Sequence, residues 1–61
     1  MSWVEIIGEN LLETCHLSVL QEAGEMYGGG HYFELEDTVT GERYRVEIKG
    51  QVARLFILAE S

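Results

Sequence analysis

Three side chains have the types needed to hold a soft metal ion or to act as a nucleophile with its base: Cys15, His16 and His31. Structural zinc needs four tetrahedral ligands, usually from paired Cys and His motifs, so this set is too small. Nucleophilic catalysis needs an oriented base and a cleft that excludes water, and a chain of 61 residues rarely encloses one. We therefore predict no catalytic site, metal or cofactor. A small enzyme or metal-binding protein that uses these three residues is kept as an alternative.

The net charge of −7 is distributed unevenly along the chain. The first thirty residues contain five glutamates and no lysine or arginine, whereas the remainder contains six acids and four bases. An acidic surface repels phosphate backbones and attracts cationic partners. This argues against direct binding of duplex nucleic acid and favours a protein partner with a basic surface.

Three of the N-terminal glutamates, Glu5, Glu9 and Glu13, are spaced four residues apart. On a continuous helix, like charges at this spacing are destabilising, which suggests a functional reason for them. Leu17, on the polar side of the helix predicted below, and Trp3 are candidate apolar anchors at an interface. We predict that these five residues bind the partner. A solvated acidic face that only maintains solubility is the alternative.

A helix from about Leu11 to Tyr27 would position most of these side chains. Asn10 is a favourable N-cap residue, and the glycines at 28–30 offer the left-handed conformation that ends helices. Apolar residues recur at the three- and four-residue spacing of one helix face, namely Leu12, Cys15, Val19, Ala23 and Met26.

The segment from Trp3 to Ile7 does not continue the apolar face of that helix. It is either a short first strand or a separate helical turn, since Ser2 and Glu5 have the spacing of a capping box. Both alternatives stay open at this point.

After the glycines, the apolar residues alternate with a period of two, which predicts an antiparallel hairpin. In one alignment, paired residue numbers sum to 79. This alignment places apolar residues opposite each other on one face and opposite charges across from each other on the other face. It sets Phe33 against Val46 and Leu35 against Tyr44 on the inner face, and Glu34 against Arg45 and Glu36 against Arg43 on the outer face.

A last strand is predicted from Val52 to Leu58, and it is continuously apolar from Leu55 to Ala59. Both of its faces should be buried away from water, whereas one helix covers only one face of a sheet. The segment from Trp3 to Ile7, a second copy of the chain or a partner protein could cover the other face. We predict a homodimer formed through Ala53, Leu55 and Ile57.

The expected fold is therefore one small α+β domain over residues 1–61. It has a short N-terminal segment, one amphipathic helix and a three-stranded antiparallel β-meander packed on that helix. The N-terminus lacks the pattern of a signal peptide, no stretch is long enough for a membrane span, and there is a single cysteine. We therefore expect a cytoplasmic protein.

The expected function is that of a small acidic, non-enzymatic interaction module. It would act as an inhibitor or accessory regulator that binds a basic surface of a partner protein. An analogy of size and charge alone extends this to phage or mobile-element antagonists of nucleic-acid enzymes. A structural subunit that stabilises a larger complex is the alternative, in which the apolar last strand would be the docking edge.

Overall fold

The computed structural model describes residues 1–60 and contains one five-stranded antiparallel sheet. The strands are ordered β1-β5-β4-β3-β2, so β1 and β2 are the two edges. A single short helix lies between β1 and β2 in the chain. The elements are β1 (Ser2–Ile6), α1 (Leu11–Thr14), β2 (Ser18–Glu25), β3 (His31–Asp37), β4 (Arg43–Lys49) and β5 (Val52–Ala59). In the described part of the chain, no helix is long and apolar enough to cross a membrane.

The predicted α+β fold, with a long helix packed on a three-stranded meander, is wrong. The helix begins where predicted, because the Asn10 Oδ1 atom accepts hydrogen bonds from the backbone N–H groups of Leu12 (3.0 Å) and Glu13 (3.3 Å). It ends at Thr14, since Cys15 has left helical geometry with ψ near 10°. Residues 18–25, predicted as helix, instead form strand β2 against β3.

The glycines at 28–30 form the connection between β2 and β3, and do not end a helix as predicted. All three have positive φ, at 90°, 105° and 97°, a conformation that glycine adopts without steric cost. The backbone N–H of Met26 donates to the Gly30 carbonyl at 3.0 Å across this connection. The chain can therefore reverse directly from one strand into the next.

The N-terminal segment adopts the first of its two predicted alternatives, a strand. In β1, Trp3 is opposite Leu58 and Ile6 is opposite Leu55 on β5. This strand extends the sheet sideways. It therefore does not cover a face of β5, which was one role considered for it.

The predicted alignment of β3 with β4 is confirmed along the whole hairpin, from His31 opposite Ile48 to the pair nearest the turn. The predicted charge pairs form on the outer face. The Arg45 guanidinium is 3.0 Å from Glu34, and the Arg43 guanidinium is 3.9 Å from Glu36.

The hydrophobic core lies on the inner face of the sheet. Its buried side chains in the described chain are Tyr44, Val46 and Leu55. Helix α1 covers this face from one side through Leu11, and Cys15 packs beside it. Small domains bury a smaller fraction of their surface than large domains do, and so limited a core leaves many apolar side chains in contact with water.

Candidate interaction surfaces

The glutamates predicted to bind a partner are not in one row, because no continuous helix carries them. Glu5 lies on β1 and forms a bidentate ion pair with Arg54 of β5, in which Nε and Nη2 each donate to one carboxylate oxygen at 2.9 Å. This hydrogen bonding lowers the pKa of Glu5. Glu9 precedes the helix and accepts a 3.4 Å hydrogen bond from Thr14, while Glu13 is within α1.

The two predicted apolar anchors are also separated. Trp3 is half-buried on β1, where it is opposite Leu58. Leu17 is exposed and directly precedes β2. Its carbonyl accepts hydrogen bonds from the backbone N–H (3.2 Å) and hydroxyl (3.0 Å) of Thr38. Binding by these five residues stays a prediction, but they do not form a single contiguous set.

Cys15, His16 and His31 are not brought together. Asp37 is opposite Ser18, which follows Cys15 and His16 in the chain, and it ends the strand that His31 begins. At about 3.3 Å per residue, His31 and Asp37 are about 20 Å apart, so His31 lies at the opposite end of β3 from the segment that carries Cys15 and His16. Among residues 1–60, no group of three or more His, Cys, Asp or Glu side chains is arranged to hold a metal ion.

The local chemistry of the cysteine does not favour a nucleophile. Cys15 is half-buried, and burial together with the charge of Asp37 raises its pKa. The reactive thiolate is therefore less populated than in a free cysteine. The Nδ1 atom of the neighbouring His16 is 2.7 Å from the Glu13 carbonyl oxygen, to which it donates when Nδ1 carries the proton.

The residues predicted for self-association differ in their exposure. Leu55 is 4% exposed and belongs to the core of the chain itself. Ile57 is half-buried and packs against that core, whereas Ala53 is exposed. Dimer formation stays a prediction, but Leu55 has no surface left to offer a second copy in this conformation.

The outer face of the sheet carries an ion-pair network centred on Arg45. Its guanidinium contacts Glu34 at 3.0 Å and Glu47 at 2.9 Å, and lies 4.1 Å from the centroid of the Tyr32 ring. The hairpin alignment predicted the first contact. Glu47 could have been found from the same alternation, because residues two apart in a strand share a face.

Strand β2 presents a different surface, which sequence reasoning missed because it assigned these residues to a helix. We define the β2 surface as Val19, Leu20, Glu22, Glu25 and Tyr27. All five side chains are exposed, and neither glutamate forms an ion pair within the described chain. The absence of any base from the first thirty residues was the signal that could have located it.

The Glu22 carboxylate is held in position by one neighbouring group. It accepts a hydrogen bond from the Tyr32 hydroxyl at 3.3 Å. Because this donor is uncharged, the negative charge of Glu22 is oriented but not neutralised.

Likeness to other proteins gives no guide to these surfaces. Comparison with protein-family models, with curated proteins and with solved structures finds no match. A functional proposal for this chain therefore rests on its own exposed side chains and charges.

Proposed function

We propose that this chain is a non-enzymatic interaction module whose β2 surface binds a basic surface of a partner protein, as an inhibitor or accessory regulator. The observation that supports this most directly is the combination of unpaired carboxylates and exposed large apolar side chains on an edge strand. Single exposed apolar residues are ordinary on protein surfaces. Here Val19 and Leu20 are both exposed on one edge strand, which also carries two glutamates without an ion pair in the described chain, and exposed apolar groups bordered by polar residues are typical of interaction sites.

The distribution of charge favours a basic partner. The three arginines lie on β4 and β5, where Glu34, Glu47 and Glu5 neutralise much of their charge. The negative excess of the molecule therefore remains outside that network, including at β2. Such separation of charge steers association with a cationic surface and selects against acidic partners.

The apolar side chains give this surface the potential for affinity. Val19 and Leu20 are more than half exposed, and Tyr27 at the β2–β3 connection is fully exposed. Large apolar and aromatic side chains that lose contact with water on binding supply most of the energy of an interface. The carboxylates around them would set orientation and association rate.

The arrangement of reactive groups supports a non-enzymatic role. The length of β3 separates His31 from Cys15, and the pKa of the Cys15 thiol is raised. A nucleophile needs a base within hydrogen-bond reach and a lowered pKa, whereas the Nδ1 atom of His16 is directed at the Glu13 carbonyl.

Affinity capture from the native cell, followed by mass spectrometry and binding measurements, tests the proposal. Glu22→Gln/Glu25→Gln should weaken binding of the captured protein by about tenfold or more, equivalent to about 1.4 kcal/mol. Added salt should weaken binding of the unaltered chain. Glu9→Gln/Glu13→Gln is the matched control, because it removes the same charge away from β2.

The outcomes separate the proposal from its alternatives. Equal weakening by both double variants would mean that net charge alone matters, and would contradict a β2-specific site. Binding insensitive to salt and to both variants would contradict acidic docking and favour a structural subunit.

A further inference from the structure

The two edges of the sheet are protected to different extents against pairing with another strand. Strand β2 has a β-bulge between Leu20 and Glu22, a device that disrupts pairing at exposed edges. Strand β1 pairs with β5 in unbroken register and contains no lysine or proline. In the described chain, no backbone hydrogen bond joins β1 to any element other than β5. The outer edge of β1 is therefore open.

The side chains around this open edge are suited to an apolar neighbour. Val4, at the centre of β1, is 48% exposed, and Met1 and Ile7 on either side of the strand are largely exposed. The charged side chain of β1, Glu5, is already held by Arg54 in a bidentate ion pair. A strand that pairs with β1 would therefore bury no unmatched charge.

We propose that β1 pairs with β1 of a second copy of this chain, antiparallel and centred on Val4. Under a two-fold axis perpendicular to the sheet, opposite residues point to the same face, so their numbers must sum to an even value. Three alignments then overlap for most of the strand, with sums of 6, 8 and 10.

The pattern of charge and apolar residues selects one alignment. A sum of 10 sets Glu5 directly against Glu5 of the second copy, and like charges in this position are destabilising. A sum of 6 leaves Ile7 unpaired. A sum of 8 sets Val4 against Val4, Ser2 against Ile6, Trp3 against Glu5 and Met1 against Ile7.

This dimer has a clear structural consequence. The two five-stranded sheets join into one continuous sheet, which removes both β1 edges from solvent. The β2 surfaces lie at its two far ends and stay free. The proposed dimer therefore does not depend on the proposed function of β2, and each can fail without the other.

Light scattering of the purified chain tests the proposal. At micromolar concentration the mass should be twice the chain mass of 6.9 kDa. Val4→Lys should return it to a monomer, because two ammonium groups would then face each other across the axis. Val19→Lys is the matched control, since Val19 is 52% exposed on the other edge strand, and it should remain a dimer.

Mixing two variants tests the alignment itself. Val4→Glu alone should also be a monomer, whereas an equimolar mixture of Val4→Lys and Val4→Glu should restore the dimer mass, because lysine then faces glutamate. Recovery on mixing supports the proposal even if each variant is poorly folded alone.

Three results would overturn the proposal. The first is a monomeric unaltered chain, and the second is a dimer that Val4→Lys leaves intact. The third is a mixture of the two Val4 variants that does not associate.

Discussion

Two alanine substitutions, Leu55→Ala and Leu12→Ala, distinguish the five-stranded sheet from the helical fold that the sequence predicted. Leu55 is 4% exposed, with Ile6 opposite it on β1 and Val46 opposite it on β4. Leu12 is 81% exposed, although the helical pattern places it on the buried face. The two substitutions are chemically identical, so only the surroundings differ.

The expected loss for Leu55→Ala follows from its burial. Removing about three methyl-sized groups costs about 0.8 kcal/mol each in transfer free energy, and the cavity left behind brings typical losses to about 2–5 kcal/mol. A chain of 61 residues has a free energy of unfolding of about 3–9 kcal/mol at typical values per residue. Leu55→Ala should therefore remove a large part of the total, whereas Leu12→Ala should change it by about 0.5 kcal/mol or less.

Urea unfolding monitored by fluorescence of Trp3, the sole tryptophan, and by far-ultraviolet circular dichroism measures both losses. With a slope of about 1 kcal/mol per molar urea, Leu55→Ala should lower the midpoint by about 2 M or more. All variants are compared at one protein concentration, because the stability of a dimer depends on concentration.

Leu55→Met keeps the volume of the side chain and should lose less than about 1.5 kcal/mol. It therefore provides a folded reference if the alanine variant does not fold. Equal losses for Leu55→Ala and Leu12→Ala, or a larger loss for Leu12→Ala, would refute the placement of Leu55 in the core.

Three further predictions concern single contacts. Gly24→Ala should destabilise the chain, since the added Cβ would lie 2.8 Å from the Tyr32 ring, and Tyr32→Ala should relieve that loss; stabilisation, as in a helix, would contradict the fold. The pKa of Glu5 is lowered from its usual value of 4.5, so its ion pair stabilises the fold above pH 4.5 and this contribution is lost as pH falls through the lower folded-state pKa. In a plot of the free energy of unfolding against pH, Glu5→Gln should therefore make the decrease at acid pH less steep. The hydrogen bond to Glu42 raises the pKa of Tyr44 from 10.0 to about 12. The ultraviolet absorbance of Tyr44 should therefore change at a higher pH than that of a free tyrosine, and the free energy of unfolding should fall from pH 10 toward 12. Tyr44→Phe should remove this high-pH step.

The β3–β4 hairpin could be predicted because one alignment satisfied two independent requirements. Pairing Phe33 with Val46 grouped the apolar side chains, and the same register paired Glu34 with Arg45. A shift by one residue would have reversed both faces. Local sequence therefore contained enough information to fix this register without knowledge of the rest of the sheet.

Strand β2 could not be predicted in the same way, because both of its faces are largely exposed. Without a buried face, the strand does not need alternating apolar and polar residues. The bulge between Leu20 and Glu22 also interrupts the alternation that is present. Its leucine, glutamine, glutamate and alanine residues also favour helices. Pairing with β3 makes this segment a strand, and local sequence does not reveal such a tertiary contact.

The ion pair of Glu5 shows why the candidate site was only partly predictable. Its partner Arg54 lies 49 residues away in the chain and becomes a neighbour only because β1 adds to the sheet beside β5. The interpretation of Glu5, Glu9 and Glu13 as one row assumed a helix through all three. Once the topology replaces that assumption, Glu5 belongs to the neutralised outer face, and unmatched acidity remains at β2.

The small core and the open β1 edge have a common physical basis. A single sheet with one short helix can bury few side chains on one face, so further stability must come from contacts at its edges or its other face. The bulge and unpaired acids of β2 oppose regular strand addition there. The unbroken register of β1 with β5 and the ion pair that already neutralises Glu5 permit it. Association at β1 would also shield Ile6, which is opposite Leu55, so the edge that is open to a second copy is the one nearest the core.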